Sequence, residues 1–315
     1  LVEAHYAALS GRASGTKKGA DGVNFSTYQE AASRTDRNPA ADGKGLMIPL
    51  LGLAGEAGEL LSEYKKFLRD GDAHTLFKDR FAEEMGDILW YLANLATKLG
   101  LRLDQVAEQN LAKCQDRWGH RDAPAGEAPA ALDAAYPEAE QLPRRITVDI
   151  TTLHVDGKPR VRVFVNGEQV GNDLTDNFYD PDGYRYHDVF HLAFAGVLGW
   201  SPITRSILKR QRRSNPEVDE VEDGGRAKAI EEGISALIFR YAKDHNWLEG
   251  TQGVSCELLR TIKSMTAHLE VSRRSSGDWE QAIIKGFEVW RQVKKRGGGT
   301  LLVDLDQRGL AIKEM

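Results

Sequence analysis

Apolar residues recur at helical spacing through the first third of the chain. Phe25, Tyr28 and Ala32 predict a helix from Asn24 to Arg34. Longer periodic runs predict helices over about 48–68, 76–99 and 103–117, punctuated by Asp70-Gly71-Asp72 and by Gly100. From 121 to 141 the period dissolves into prolines and alanines. The pattern then changes to a period of two. Ile146, Val148 and Ile150 alternate with polar residues, and Val161, Val163 and Val165 repeat the alternation. Asp156-Gly157 and Asn166-Gly167 stand where hairpin turns are needed. Helical spacing returns at about 186–198, 225–246, 255–271 and 278–293, and Leu301–Val303 reads as a short strand. The expected fold is therefore mainly α: an N-terminal all-α helical bundle, then a C-terminal α+β domain with a β-hairpin and helices. The expected boundaries are a flexible lead-in over 1–22, a helical domain over 23–120, a linker over 121–143 and an α+β domain over 144–315.

Composition narrows the function classes. A chain of 315 residues suits two domains, and 41% hydrophobic with 28% charged residues excludes wholesale disorder. A net charge of -5 gives nucleic acid no global attraction. Cys114 and Cys256 stand far apart, which excludes a disulfide scaffold or a Cys-only zinc site and fits a reducing cytoplasm. Charge and glycine interrupt the apolar runs before the roughly 20 residues of a membrane span, so no membrane partner is expected. The first residues, Leu1-Val2-Glu3-Ala4-His5, lack the basic-then-apolar layout of a signal peptide.

The chemistry concentrates in four carboxylates. Glu56 and Glu59 are three apart on the helix over 48–68, and Glu84 and Asp87 repeat that spacing on the next helix. Residues three apart lie about 60° apart around a helix and converge on one point. Most Glu pairs belong to a solvated face. Here Glu84 falls in line with Phe81, Ile88, Leu92 and Leu95, and Glu56 with Leu53, Leu60 and Phe67. Carboxylates within an apolar stripe are costly without a compensating cation. Four of them on neighbouring helices form a hard oxygen set suited to Mg²⁺, with Mn²⁺ the alternative. Ala54, Gly55, Ala57 and Gly58 leave space beside them for a bulky group.

The spacing Glu56-x-x-Glu59, then 24 residues, then Glu84-x-x-Asp87 resembles the motif of the MazG-type all-α nucleoside triphosphate pyrophosphohydrolases. The runs Gly52-Leu53-Ala54-Gly55-Glu56-Ala57-Gly58-Glu59-Leu60 and Glu83-Glu84-Met85-Gly86-Asp87-Ile88-Leu89-Trp90-Tyr91-Leu92 are similar to that family's motifs, as are Asn94 and the run from Asn110 to Trp118. The resemblance covers about residues 24–120. It implies a helical bundle, a homodimer or homotetramer, that splits a nucleoside triphosphate into monophosphate and pyrophosphate with a metal shell of Glu56, Glu59, Glu84 and Asp87. It also marks Asn94, Asn110, Lys113, Arg117 and Lys66 for substrate binding. Asn110, Lys113 and Arg117 fall on one stripe of the last helix, and a basic stripe suits phosphate oxygens. As alternatives, Asn94 is a helix-interior amide and Lys66 a helix C-terminal charge. The rival function is a non-catalytic nucleotide sensor whose C-terminal domain signals or binds a partner.

No family resemblance extends past residue 142. His187 and His191, at i and i+4, can converge on one ion if 186–198 is helical, with Glu231 or Glu232 as a third ligand. Asp188 projects about 100° away and is expected outside that set. The alternative is that each histidine bonds a separate carbonyl or carboxylate. The segment 231–242 faintly echoes 83–93, which suggests a degenerate second copy of the helical unit. Lys209-Arg210-Gln211-Arg212-Arg213 reads as a solvated basic run or a phosphate grip.

Overall fold

The computed structural model describes residues 22–118 and 131–313. Residues 1–21 of the expected lead-in, 119–120 of the expected helical domain, 121–130 of the expected linker and 314–315 at the end lie outside the described residues. The chain forms two compact units that divide after Ala112.

The first unit holds α1 (Phe25–Thr35), α2 (Gly43–Asp70), α3 (Phe77–Lys98) and the start of α4 (Leu103–Trp118). Asn24 caps α1 reciprocally with Thr27: its side chain accepts the Thr27 N–H at 2.9 Å, and Thr27 Oγ1 accepts the Asn24 N–H at 3.1 Å. α2 begins well before the expected residue 48, because Asp42 Oδ1 accepts the Gly45 N–H at 2.7 Å and opens the helix there. Pro49 follows in the second turn, where its missing N–H removes only one ladder bond. α2 and α3 form an antiparallel hairpin. Phe67 stacks on Phe77 at 4.4 Å near the turn. Far from the turn, a Cβ on Gly52 would stand 2.2 Å from Tyr91 Cζ, so only glycine lets the helices approach this closely. Gln29 of α1 ties the turn before α4, donating to the Leu101 carbonyl and accepting from the Leu103 N–H, each at 2.8 Å.

The core of this unit is small: Ala32, Ala93, Ala96 and Leu103, with Tyr28 and Trp90 packed against it. The apolar stripe expected to bury Glu84 is corrected accordingly. Leu95 is buried, but Leu92 is 40% exposed. Met47, Leu50, Leu51, Leu61 and Leu68 of α2 are exposed as well. A helical layer covers one face of itself and leaves the other open. The expectation about membrane spans also needs correction: by length and composition, Gly43–Ala73 is long and apolar enough to cross a membrane.

The second unit is built on an antiparallel sheet of order β3-β2-β1-β4-β5. The strands are β1 (Arg145–Val155), β2 (Lys158–Val165), β3 (Glu168–Leu174), β4 (Gly298–Asp304) and β5 (Gly309–Ile312). Asp156-Gly157 and Asn166-Gly167 take positive φ at both positions, 52° and 73°, then 52° and 81°, as two-residue hairpins require. Ile146, Val148, Ile150, Val161 and Val163 are buried on one face of the sheet. The helices are α5 (Asp188–Ala193, continued by a π-helical turn over Phe194–Leu198), α6 (Pro202–Ile207), α7 (Pro216–Val221), α8 (Gly225–Lys243), α9 (Cys256–Met265) and α10 (Ser276–Arg296). α5 and its π turn are buried along their length and pack on α10 through Phe190, which lies 4.6 Å from Phe287 ring to ring. α6, α7 and β5 are additions to the expected elements. α8, the segment that echoes 83–93, faces the short helices α5 and α6 rather than a long antiparallel partner.

Residues 131–143, expected within the linker, are packed into this second unit. Asp133 is buried and accepts from the Leu142 N–H and from Arg205 Nη2, each at 2.8 Å, and from Arg144. Burial pushes its carboxyl up, but the Arg144 and Leu142 hydrogen bonds and the Arg205 charge outweigh that and hold it below the ordinary 3.8. Asp133→Asn leaves buried Arg205 with only Asp223, 3.7 Å away and already paired with Arg212, as counter-charge, and the expected loss is about 3 kcal/mol of stability. Denaturant unfolding of both proteins measures it. A carboxyl held low in the folded state stabilises above its unfolded pKa, so the difference is complete above pH 3.8 and narrows as acid protonates Asp133 in the folded chain.

Candidate active site

The α2–α3 hairpin brings Glu56, Glu84 and Asp87 together, with ligand oxygens all within 4.8 Å of one another. Glu56 and Glu84 are half-buried and Asp87 is exposed, so the cluster faces outward instead of standing inside an apolar core. Glu59 is exposed and outside this group of three, but its charge reaches Glu84. Glu84 is raised above the ordinary range for a glutamate. Desolvation comes first, then a hydrogen bond shared with Glu56, then the charges of Glu56, Glu59 and Glu83. Repulsion of this kind is what a divalent cation relieves, and the all-oxygen donor set suits a hard ion. Space is present too: a Cβ at Gly55, Gly58 or Gly86 would meet nothing within 4 Å.

Tyr28 is a site neighbour that the sequence pattern assigned only to the α1 core stripe. Its hydroxyl donates to the Gly86 carbonyl at 3.5 Å, and burial together with the Asp87 charge raises its pKa. No spacing rule connects it to Asp87, because the two are 59 residues apart in the chain. Tyr91 packs across Gly52, and Trp90 Nε1 donates to Thr35 Oγ1 at 2.8 Å, so both aromatics serve helix packing.

The expected substrate contacts divide. Asn94 is buried. Its Nδ2 donates to the Trp90 carbonyl at 2.9 Å, and its Oδ1 has no partner. Asn110 and Lys113 are exposed on α4. Lys66 pairs through its ammonium with Glu63, a buried carboxylate that His74 Nε2 also meets at 2.9 Å. Arg117, like Lys113, belongs to the second unit, where its Nη2 meets Glu280 Oε2 at 3.0 Å and the Val254 carbonyl at 2.6 Å. Lys66 and Arg117 each answer a nearly buried carboxylate, whose claim on the charge outweighs that of solvent. The basic run 209–213 is likewise drawn inward at Arg212, which is fully buried between Asp223 and Glu270.

In the second unit, His187 Nε2, His191 Nε2 and the carboxylates of Asp188 and Glu232 face one another. Nε2 of His187 is 3.6 Å from Asp188 and 3.8 Å from Glu232, and Nε2 of His191 is 3.5 Å from Glu232. Glu231 lies behind His191, with Oε1 2.9 Å from Nδ1. Asp188, expected to point away, belongs to the cluster. Burial pulls His191 down, but the charge and hydrogen bond of Glu231, helped by Glu232, raise it to about 10. Burial lowers His187.

Comparison with known proteins bears on both units. The MazG nucleotide pyrophosphohydrolase domain matches residues 48–121, and the MazG C-terminal domain matches residues 127–315. The second match corrects the expectation that no resemblance passes residue 142. A relative, the Gene 37 protein of Mycobacterium phage L5, is 42% identical over 101 residues, which are 30% of this chain and 89% of that protein. No solved structure matches the chain. With an N-terminal helical unit that matches the pyrophosphohydrolase domain and a C-terminal unit that matches its companion over more than half of the chain, this protein belongs to the MazG family.

Proposed function

We propose that the chain is a metal-dependent pyrophosphohydrolase that converts a nucleoside or deoxynucleoside triphosphate and water into the monophosphate and pyrophosphate. The observation that carries this reading is the convergence of Glu56, Glu84 and Asp87 from two helices, with Glu84 raised by its neighbours. Glu56, Glu59, Glu84 and Asp87 would hold Mg²⁺ or Mn²⁺. Bound there, the metal neutralises phosphate oxygens and lowers the pKa of a coordinated water. The chain's own residues hold the carboxylates at this spacing through Gly52 and Tyr91, and Tyr28 shields one side of Asp87. The open surface at Gly55 and Gly58 admits a bulky group beside Glu56.

The same reading includes a second copy of the chain. Leu50, Leu51, Leu61, Tyr64 and Leu68 form an exposed apolar face on α2, too extensive for a solvated monomer. Glu56 and Glu59 interrupt this helix, and ionised groups at such a depth are costly in lipid. A matching protein face covers it better.

Release of pyrophosphate from a panel of NTPs and dNTPs with Mg²⁺ or Mn²⁺ tests the reaction. Glu84→Gln and Asp87→Asn each keep size and hydrogen bonding, and each is expected to lower turnover at least about a hundredfold with an unchanged circular dichroism spectrum. Wild-type turnover in either variant overturns the assigned shell, and no release from any substrate favours the sensor. Leu61→Asp, at a position 69% exposed in the single chain, is expected to shift the assembly toward monomer in light scattering.

A further inference from the structure

The histidine and carboxylate cluster of the second unit has the construction of a metal centre. Each imidazole has its Nδ1 against a fixed acceptor: His187 Nδ1 lies 3.0 Å from the Tyr184 carbonyl, and His191 Nδ1 lies 2.9 Å from Glu231 Oε1. Glu231 is itself immobilised. It is fully buried and accepts from Ser201 Oγ at 2.6 Å and from the Ile203 N–H at 2.8 Å. This arrangement keeps a proton on Nδ1 of both rings and makes Nε2 the nitrogen that binds an ion, which at His191 displaces the Nε2 proton. Both Nε2 atoms then face the space between Asp188 and Glu232.

That space lacks a hydrogen-bonding explanation. His191 is 1% exposed, yet among the described residues its Nε2 has no partner at hydrogen-bond geometry, the Glu232 carboxylate standing 3.5 Å away. The facing carboxylate oxygens lie 3.5, 3.6 and 3.8 Å from the imidazole nitrogens. Charge-assisted hydrogen bonds between such groups are about 2.7–2.9 Å long. Donors placed about 2.0–2.2 Å from a tetrahedral ion are, by geometry, about 3.3–3.6 Å from each other. The observed separations match ligands around an ion better than partners in an ion pair.

We propose that His187, His191, Asp188 and Glu232 bind a borderline divalent transition-metal ion of the Zn²⁺ class, with Glu231 orienting His191 from behind. Two imidazoles and two carboxylates give a mixed nitrogen and oxygen set, unlike the all-oxygen set of the first unit. The side chain of Glu232 is 45% exposed, so the centre opens to solvent on that side and exchanges its ion from there. The inference is independent of the pyrophosphohydrolase reading.

The test is Zn²⁺ titration of the full chain, stripped of metal, against a chromophoric chelator in excess Mg²⁺. One tight Zn²⁺ per chain is expected. His187→Gln and Glu232→Gln are each expected to weaken it at least about a hundredfold. Zn²⁺ should also raise the melting temperature of the wild type and leave that of His187→Gln unmoved. Should His187→Gln fail to fold, Glu232→Gln carries the test, because its side chain is half-exposed. A wild-type chain that takes up no Zn²⁺, or wild-type affinity in the folded variants, overturns the site.

Discussion

Carboxylates that crowd one another repel, and the first unit is arranged so that Glu56, Glu84 and Asp87 cannot separate. The α2–α3 spacing is set at both ends by contacts that tolerate no slack. At one end the ring of Tyr91 occupies the room a side chain would need at position 52, and at the other Phe67 stacks on Phe77. α1 braces the same hairpin, through the Asp36 and Lys98 ion pair at 2.5 Å and through Tyr28 beside Asp87. The repulsion therefore appears as a raised Glu84 instead of as a splayed pair of helices. A unit that holds like charges together in this way favours any cation that enters between them.

The second unit treats charge in the opposite manner. Most of its buried acids are answered by arginine: Asp133 by Arg205 and Arg144, Asp223 by Arg212, Glu280 by Arg117 and Asp278 by Arg308, whereas Glu231 is held by His191, Ser201 and the Ile203 N–H. Such pairs add little net stability over apolar packing, but removing one partner is costly, so they fix which segments meet. This is how residues 131–143 come to be bound to α6. Against that background the His187, His191, Asp188 and Glu232 cluster stands out. Its groups are close enough to interact and too far apart to be paired by hydrogen bonds.

Much of this was legible in the sequence, for a physical reason. The i, i+3 carboxylate pairs, the helical stripes and the Asp-Gly and Asn-Gly turns are local patterns, and local geometry alone places them. The i, i+4 histidines belong to the same class. What escaped depends on distant segments. The burial of Arg205 and Arg212, the capture of Arg117 by Glu280 and the place of Tyr28 each join residues far apart in the chain. The helical angle of Asp188 misled because it places the Cβ alone, whereas the carboxylate still reaches to 3.6 Å from His187 Nε2. β5 and the six-residue helices α6 and α7 are too short to show a period.

The two proposed centres differ in donors, and that difference allows both to work in one chain. Imidazole nitrogen suits Zn²⁺, whereas carboxylate oxygen suits Mg²⁺. On the proposed reading, the imidazoles of His187 and His191 would direct the borderline ion to the second unit. The carboxylates of Glu56, Glu84 and Asp87 offer no nitrogen, so on the same reading they would hold a hard ion such as Mg²⁺, which keeps several of its waters and is completed by phosphate oxygens of a substrate. Were the donor sets reversed, the outward-facing hairpin would favour the borderline ion, and the hard ion would lose the oxygen set that suits it.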